Sequence, residues 1–358
     1  MTGANALSII APIAREFAID GELVEARRHG HGHINATFVA TYRSASADAR
    51  FIHQRINTRV FSDVPALMSN IERVLDRLGA RGVRAMRLVR TRGGEPASLH
   101  GGEWWRTYEF VEGASSRETL TPAQAFDAAR AFGGFAQVLS DLPPPPLHAT
   151  IPRFHDTRNR VRLLEQAAKN DPRGRACDAA PELQLAVENE ALARALESLR
   201  GRGVRDRVVH NDAKLDNVLL DDATDAAVCV IDLDTVMPGL SLYDFGDMAR
   251  TGASTAPEDA RDLERVDVRL DMFEALARGF TEGAGPMLDA IEREHLVLAA
   301  QVLTFESAVR FLTDHLLGDT YFHVARPGHN MDRARSQFAL LRALRRRDRE
   351  LAHVVSAC

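Results

Sequence analysis

Apolar and polar positions alternate with a period of two through much of residues 22–111, and this predicts strands. Residues 23–27, 34–42 and 51–56 carry the pattern, with Gly30 and Gly32 in the first connection and a Ser/Ala/Asp stretch in the second. Three consecutive antiparallel strands are expected. The period then lengthens: Val64, Leu67, Met68, Ile71, Val74, Leu75 and Leu78 recur at three- and four-residue spacing. Pro65 near the start and Gly79 and Gly82 at the end fit an amphipathic helix. Two further strands are predicted over 85–91 and 104–111, parted by Gly93-Gly94 and closed by Gly113.

From Thr121-Pro122, a helix-start pair, the helical period dominates, with apolar stripes over 122–140, 156–168, 182–199, 261–280 and 287–317. Four prolines at 143–146 mark a loop, because proline cannot sit in a helix interior without losing a hydrogen bond. One stretch departs from this pattern. Short apolar runs at 207–209, 218–220 and 228–231 bracket polar residues, the signature of a small rigid ribbon presenting them. The expected fold is α+β with two parts. Residues 1–113 form a small antiparallel sheet lobe with one helix, and residues 114–358 a larger, mainly helical lobe.

Composition works mainly by exclusion. The 358 residues carry 45 Lys+Arg against 50 Asp+Glu, a net charge of −5, which excludes a strongly basic nucleic-acid binder. The first twenty residues lack the layout of a signal peptide, and no run approaches the roughly 18 apolar residues of a membrane span, so no membrane partner is expected. Cys177, Cys229 and Cys358 are odd in number and form no C-x-x-C pair, which argues against a disulfide framework and a cysteine zinc site. A cytoplasmic protein is expected. The Arg-rich stretch 342–350, mixed with Leu, Asp and Glu, reads as a solvated terminal helix.

The polar ribbon is His210-Asn211-Asp212-Ala213-Lys214-Leu215-Asp216-Asn217. It fits the H-x-D-x-x-x-x-N pattern of a kinase catalytic loop, and Asp232 ends the next apolar run. Phosphoryl transfer asks a protein mostly for positioning and charge neutralisation. A carboxylate must take the acceptor hydroxyl's proton, and oxygen ligands must hold Mg²⁺ against the phosphates. Asp212 suits the first task, and Asn217 and Asp232 suit the second. Lys214, one of only two lysines in the chain, suits the γ-phosphate as a compact point charge. Asp234 either shares the metal or bonds to a loop amide. A lone His-x-Asp would be an ordinary polar turn, whereas four such residues and a downstream Asp point to catalysis. The literal Asp244-Phe245-Gly246 opens a predicted helix over 243–251, so Asp244 and Asp247 are expected to cap that helix or brace the catalytic loop.

A nucleotide-binding lobe also needs a phosphate-covering hairpin, a strand cation and a hinge. Gly32, Asn35 and Thr37 are the candidate phosphate contacts, because small residues let backbone N–H groups approach and short polar side chains add donors. His29, His31 and His33 alternate, but no fourth ligand accompanies them for a metal. The strand lysine of kinases is absent. Arg55 is the candidate in its place, with Glu72 either its ion-pair partner or an ordinary solvated residue. After Trp104, Trp105 and Tyr108 the chain leaves the sheet through Glu109 to Gly113, a candidate hinge whose Glu109 and Val111 would contact adenine through the backbone.

These segments resemble the aminoglycoside phosphotransferase and choline kinase-like enzymes, which share the bilobal protein-kinase fold. The resemblance rests on Gly32-His33-Ile34-Asn35 with Thr37-Phe38, Gln54-Arg55-Ile56-Asn57 and Phe110-Val111-Glu112-Gly113. It extends to His210-Asn211-Asp212 with Lys214 and Asn217, and to the block 231–239 that runs into Tyr243-Asp244-Phe245-Gly246-Asp247. Within the family the likeness is strongest to the N-acetylhexosamine 1-kinases. It implies a monomer that uses ATP and Mg²⁺ to phosphorylate the anomeric hydroxyl of N-acetylglucosamine or N-acetylgalactosamine. Thr235, Arg310 and Tyr321, besides Asp212, would contact the sugar. The alternatives are a kinase for another hexose, an amino alcohol or an aminoglycoside, and a nucleotide-binding pseudokinase scaffold.

Overall fold

The computed structural model describes residues 3–30, 34–45 and 47–358. It opens with a helix that the strand pattern does not announce, α1 (Gly3–Ala14). The expected strands follow as β1 (Glu22–Arg28), β2 (Ala36–Arg43) and β3 (Asp48–Arg55), and then α2 (Val64–Ala80). Asp63 caps α2 by accepting the Ala66 N–H at 3.0 Å, and Val64, Leu67, Ile71, Val74 and Leu78 bury its apolar face. β4 (Leu88–Val89), β5 (Ser98–His100) and β6 (Glu103–Glu109) complete an antiparallel sheet in the order β1-β2-β3-β6-β4, with β5 also on β6. The strand expected over 85–91 is therefore only two residues long.

Strand alternation gives this sheet two faces. Phe38, Ala40, Tyr42 and Trp105 pack with Ile10 and Ile13 of α1 and with Phe17 on the outer face. Thr37, Gln54 and Arg106 lie side by side on the opposite face, where Arg106 reaches Asp234 of the C-terminal part.

The chain then runs through β7 (Ala114–Ser115), α3 (Pro122–Leu139), α4 (Thr157–Asn170), α5 (Ala180–Glu188) and α6 (Ala195–Ser198). Thr121 and Gln124 close a reciprocal capping box at the start of α3. The helix expected over 182–199 breaks at Asn189, whose Nδ2 donates to the Leu185 carbonyl at 2.7 Å. Next comes the polar ribbon: β8 (Arg207–Val209), β9 (Val218–Asp221), β10 (Ala227–Val230) and β11 (Met237–Gly239). These pair antiparallel as β10-β9-β7 and β11-β8. Helices α7 (Ser241–Gly252), α8 (Leu270–Ala284), α9 (Ala290–Glu294), α10 (Leu296–Leu317), α11 (His329–Arg346) and α12 (Asp348–Ser356) complete the fold.

Two packing features hold the ribbon in place. Where α3 crosses α8, a Cβ on Gly279 would lie 2.2 Å from the Phe126 carbonyl oxygen, and one on Gly133 would lie 2.5 Å from that of Phe280. Only glycine allows this approach. Helix α10 has the length and apolarity to cross a membrane, contrary to the sequence expectation, yet 83% of its most apolar window is buried inside the protein. It is the central helix of the C-terminal core, against which α4, α7 and α11 pack. The stretch 342–350 is likewise not one solvated helix: Ala343 and Leu344 are buried, and α11 ends before Arg347, which pairs with Asp267 at 3.0 Å.

Candidate active site

The loop between β8 and β9 is shaped by its buried polar neighbours. Asp244, at the start of α7, accepts the N–H groups of His210 at 2.9 Å and Asn211 at 2.7 Å, the bracing role expected of it. Asp247 instead pairs with Arg250 at 2.7 Å and caps nothing. Asn211 takes a left-handed φ of 63°, which asparagine tolerates, and its side-chain amide donates to the Thr235 carbonyl at 3.0 Å. His210 packs edge-on against Phe132, and its Nε2 lies 2.9 Å from the Ile231 carbonyl. The loop is tied from below to both ribbon pairs and to α7.

On this base the catalytic candidates converge. Lys214 Nζ lies 3.2 Å from Asp212 Oδ2, and Asn217 Nδ2 donates to the Asp212 carbonyl at 2.8 Å. Burial pushes the Asp212 carboxyl up, but Lys214 beside it more than offsets this and holds it below the ordinary range. Asp212 is thus an anion whose Oδ1 has no partner among the described residues. Asp232 follows β10 with a left-handed φ of 60°. Protein crowds its carboxyl, and burial, then Asp234 and Asp212, raise it to about 6. Solvent still reaches it from the cleft. No hydrogen bond to Asp232 occurs among the described residues, and the Asn217 amide oxygen is likewise unclaimed. These free oxygens fit a hard divalent cation. No cluster of three His, Cys, Asp or Glu side chains that could hold a metal occurs among the described residues, and Mg²⁺ in kinases draws its remaining ligands from phosphate and water.

Asp234 departs from its expectation. One of its oxygens pairs with Arg106 Nη1 and the other accepts from Asn35 Nδ2 at 2.6 Å, so it is neither a free metal ligand nor an acceptor for a loop amide. Asn35 is correspondingly engaged: its own oxygen accepts the Asn57 N–H at 3.0 Å, and one of its two amide N–H groups is given to Asp234. Thr37 does lie on the inner face, accepting from Gln54 at 3.1 Å, while Gly32, His31 and His33 fall outside the described residues. His29 packs edge-on against Phe110 at 6.0 Å between ring centroids.

Arg55 is also corrected. It neighbours Trp105 in the β3–β6 register, on the outer sheet face, and pairs there with Glu103 at 2.8 Å, both side chains about half exposed. Its proposed partner Glu72 instead meets Arg90 at 2.5 Å. The cation on the inner face is Arg106, whose Nε donates to Gln54 at 2.9 Å and which is 1% exposed. Strand parity sets Arg106 and Tyr108 apart from Trp105 and Thr107 but does not say which of the two faces is covered. At the hinge the Glu109 N–H bonds to the Arg87 carbonyl at 2.9 Å, and the Val111 N–H has no protein partner among the described residues.

Toward the C-terminal helices, His155 Nε2 lies 2.8 Å from the Asn211 carbonyl and Nδ1 lies 2.8 Å from Glu306 Oε1. Thr157 takes the other Glu306 oxygen at 2.6 Å. No local signal marks this pair, whose members are far apart in sequence. Arg310, one turn after Glu306 on α10, lies 5.2 Å from the Phe154 ring centroid, 5.5 Å from Phe322 and 6.0 Å from Tyr321. Arg310 and Tyr321 are therefore together, with Tyr321 half exposed. Thr235 is not available to a sugar: it is 5% exposed, and its hydroxyl is enclosed without a partner among the described residues. A cavity of about 970 Å³ adjoins the loop, lined by Phe154, His155, Arg194, Asn211 and Tyr243.

A sheet lobe joined by a hinge to a helical lobe, with a His-x-Asp loop facing a strand-end Asp, defines a protein-kinase-like phosphotransferase. A profile of the phosphotransferase enzyme family (APH) matches residues 25–279, and the chain belongs to that family. Among solved structures, it is similar to an aminoglycoside phosphotransferase from Alicyclobacillus acidocaldarius, with a TM-score of 0.60 at 16% identity over 94% of this chain and 95% of that one. A choline/ethanolamine kinase family protein from Mesorhizobium loti matches with a TM-score of 0.58 at 15% identity, over 99% and 97% of the two chains. A spectinomycin phosphotransferase in complex with ADP and spectinomycin matches with a TM-score of 0.58 at 14% identity, over 95% and 98%. The protein is a phosphotransferase of the APH family, with the fold that these aminoglycoside phosphotransferase and choline/ethanolamine kinase structures share.

Proposed function

We propose that the protein is a monomeric, cytoplasmic kinase that uses ATP and Mg²⁺ to phosphorylate the anomeric hydroxyl of an N-acetylhexosamine. The nucleotide assignment is supported by the free hinge N–H of Val111 and by the solved relatives, one of which carries ADP and another GDP with kanamycin. Asp232 and Asn217 would hold Mg²⁺, which when bound neutralises charge on the phosphates. Asp212 orients the acceptor hydroxyl through Oδ1 and takes its proton as the hydroxyl oxygen bonds to the γ-phosphorus and the bond to ADP breaks. Lys214 steadies the transferring group. Reaction in line, without a phosphoenzyme, needs no nucleophile other than the acceptor.

The observation that carries the acceptor class is the place of Arg310. Its guanidinium already occupies the aromatic cluster of Phe154, Tyr321 and Phe322, the kind of surface that would receive a quaternary ammonium. Glu306, one turn away, has both oxygens engaged by His155 and Thr157. At this cluster a cationic acceptor would meet like charge and Glu306 has no oxygen left for it, whereas a neutral sugar finds donors and an aromatic face. The test is ADP formation with Mg-ATP against N-acetylhexosamines, simple hexoses, choline, ethanolamine and aminoglycosides. Turnover is expected on an N-acetylhexosamine, with an alkali-stable, acid-labile phosphate product. Faster turnover on choline or an aminoglycoside would contradict the acceptor assignment.

A further inference from the structure

Arg106 and Asp234 form an ion pair across the two parts of the molecule, with side chains 1% and 3% exposed. Each partner has a second engagement. The Arg106 Nε holds Gln54 at 2.9 Å, and Gln54 holds Thr37 at 3.1 Å. The second Asp234 oxygen holds Asn35 at 2.6 Å, while Thr150 donates to the Asp234 carbonyl at 2.8 Å. One connected set of side chains thus ties the start of β2, the end of β3, the middle of β6 and the 3-10 turn Leu233–Thr235. Asp232 directly precedes that turn.

Burying two charges is a poor way to gain stability, because desolvation cancels most of the attraction and an apolar pair would serve as well. What a planar guanidinium with two fixed arms supplies is geometry. In kinases a strand lysine and a helix glutamate form the ion pair that sets the nucleotide lobe. Here that strand position is Gln54 or the outward Arg55, and α2 offers Glu72 only to Arg90.

Resting on the kinase reading above, we infer that Arg106 is a positioning residue for phosphoryl transfer: from the sheet it fixes, through Asp234, the turn that presents Asp232 to metal and nucleotide. The pair spans both lobes, so it also sets how far the sheet lobe closes over the loop. Its loss lets the turn that carries Asp232 relax, while Arg310 and the aromatic cluster around it on the acceptor side lie outside this connected set.

The test compares wild type with Arg106→Met, Arg106→Lys, Asp234→Asn, Gln54→Ala and the double variant Arg106→Met/Asp234→Asn in the full chain. Titration calorimetry with the non-hydrolysable analogue AMP-PNP, with and without MgCl₂, gives a readout independent of turnover. Arg106→Met is expected to weaken Mg²⁺-dependent nucleotide binding by about 10–100-fold, as loss of an outer partner does at metal sites. kcat/KM for ATP should fall in parallel, with the acceptor KM within about twofold. The double variant should be no worse than Arg106→Met alone, because the pair acts as a unit. Arg106→Lys keeps the charge without the fork and should fall between. If Arg106→Met does not fold, Arg106→Lys and Gln54→Ala carry the test. A folded Arg106→Met with wild-type Mg²⁺ dependence would overturn the inference, as would wild-type binding in both Arg106→Lys and Gln54→Ala. Binding that responds as expected in a protein that phosphorylates no acceptor would overturn the kinase reading and leave the positioning role standing.

Discussion

Gln54 and Arg55 are neighbours in sequence and lie on opposite faces of β3, and this parity decides what each can do. Arg55 pairs with Glu103 at the outer surface, both half exposed, and such pairs are worth about 0–1 kcal/mol. Arg55→Ala should therefore leave AMP-PNP affinity within about twofold of wild type in the same calorimetric assay, since exposed substitutions of this kind rarely propagate. The contrast with Arg106, one strand over on the inner face, is a sharp test of the side-chain placement. The loop residues Asp212, Lys214, Asn217 and Asp232 were legible because their spacing along one short segment carries the chemistry. The strand cation was not, because a period of two gives alternation without saying which face is covered. That is settled by α1, which packs on Phe38 and Trp105 and so leaves Arg106 facing the cleft.

At the scale of elements, helix starts with side-chain caps were readable and close helix contacts were not. Thr121→Ala removes one half of the α3 capping box and should cost about 0.5–2 kcal/mol in urea denaturation. Gly279→Ala places a methyl group against the Phe126 carbonyl and should cost about 1–3 kcal/mol by overpacking at the α3–α8 crossing. A sequence shows such a glycine but not the backbone that approaches it. The His155–Glu306 pair gives a prediction with pH. Burial would raise the Glu306 carboxyl, but His155 beside it holds it down from 4.5 to about 2, so its stabilisation is complete above pH 4.5 and lost as pH falls toward 2. Burial would lower the His155 imidazole, but Glu306 raises it above 6.5, so its stabilisation is complete below pH 6.5 and lost as pH rises through the elevated value. The stability difference between wild type and Glu306→Gln should be largest between those two limits. A difference that stays flat from acid to alkaline pH would contradict the assigned ionisation.

For the whole molecule, the two-part architecture followed from the change of period alone, while the links between the parts did not. Asn35 to Asp234 and Arg106 to Asp234 join residues far apart in the chain, and no local pattern encodes them. The same holds for Glu306 and Arg310, which a buried helix brings beside Phe154 and, through His155, to the catalytic loop. The central claim is that Asp212 acts on a sugar hydroxyl held against a metal-bound nucleotide. Phosphorus NMR of the protein with Mg-ATP and an N-acetylhexosamine tests it directly, beside Asp212→Asn under the same conditions. Wild type should convert ATP to ADP with a matching sugar 1-phosphate signal. Asp212→Asn should bind AMP-PNP normally and lose turnover by about 10²–10⁴-fold, the usual worth of a positioned general base. A variant that makes the sugar phosphate at the wild-type rate would contradict the account.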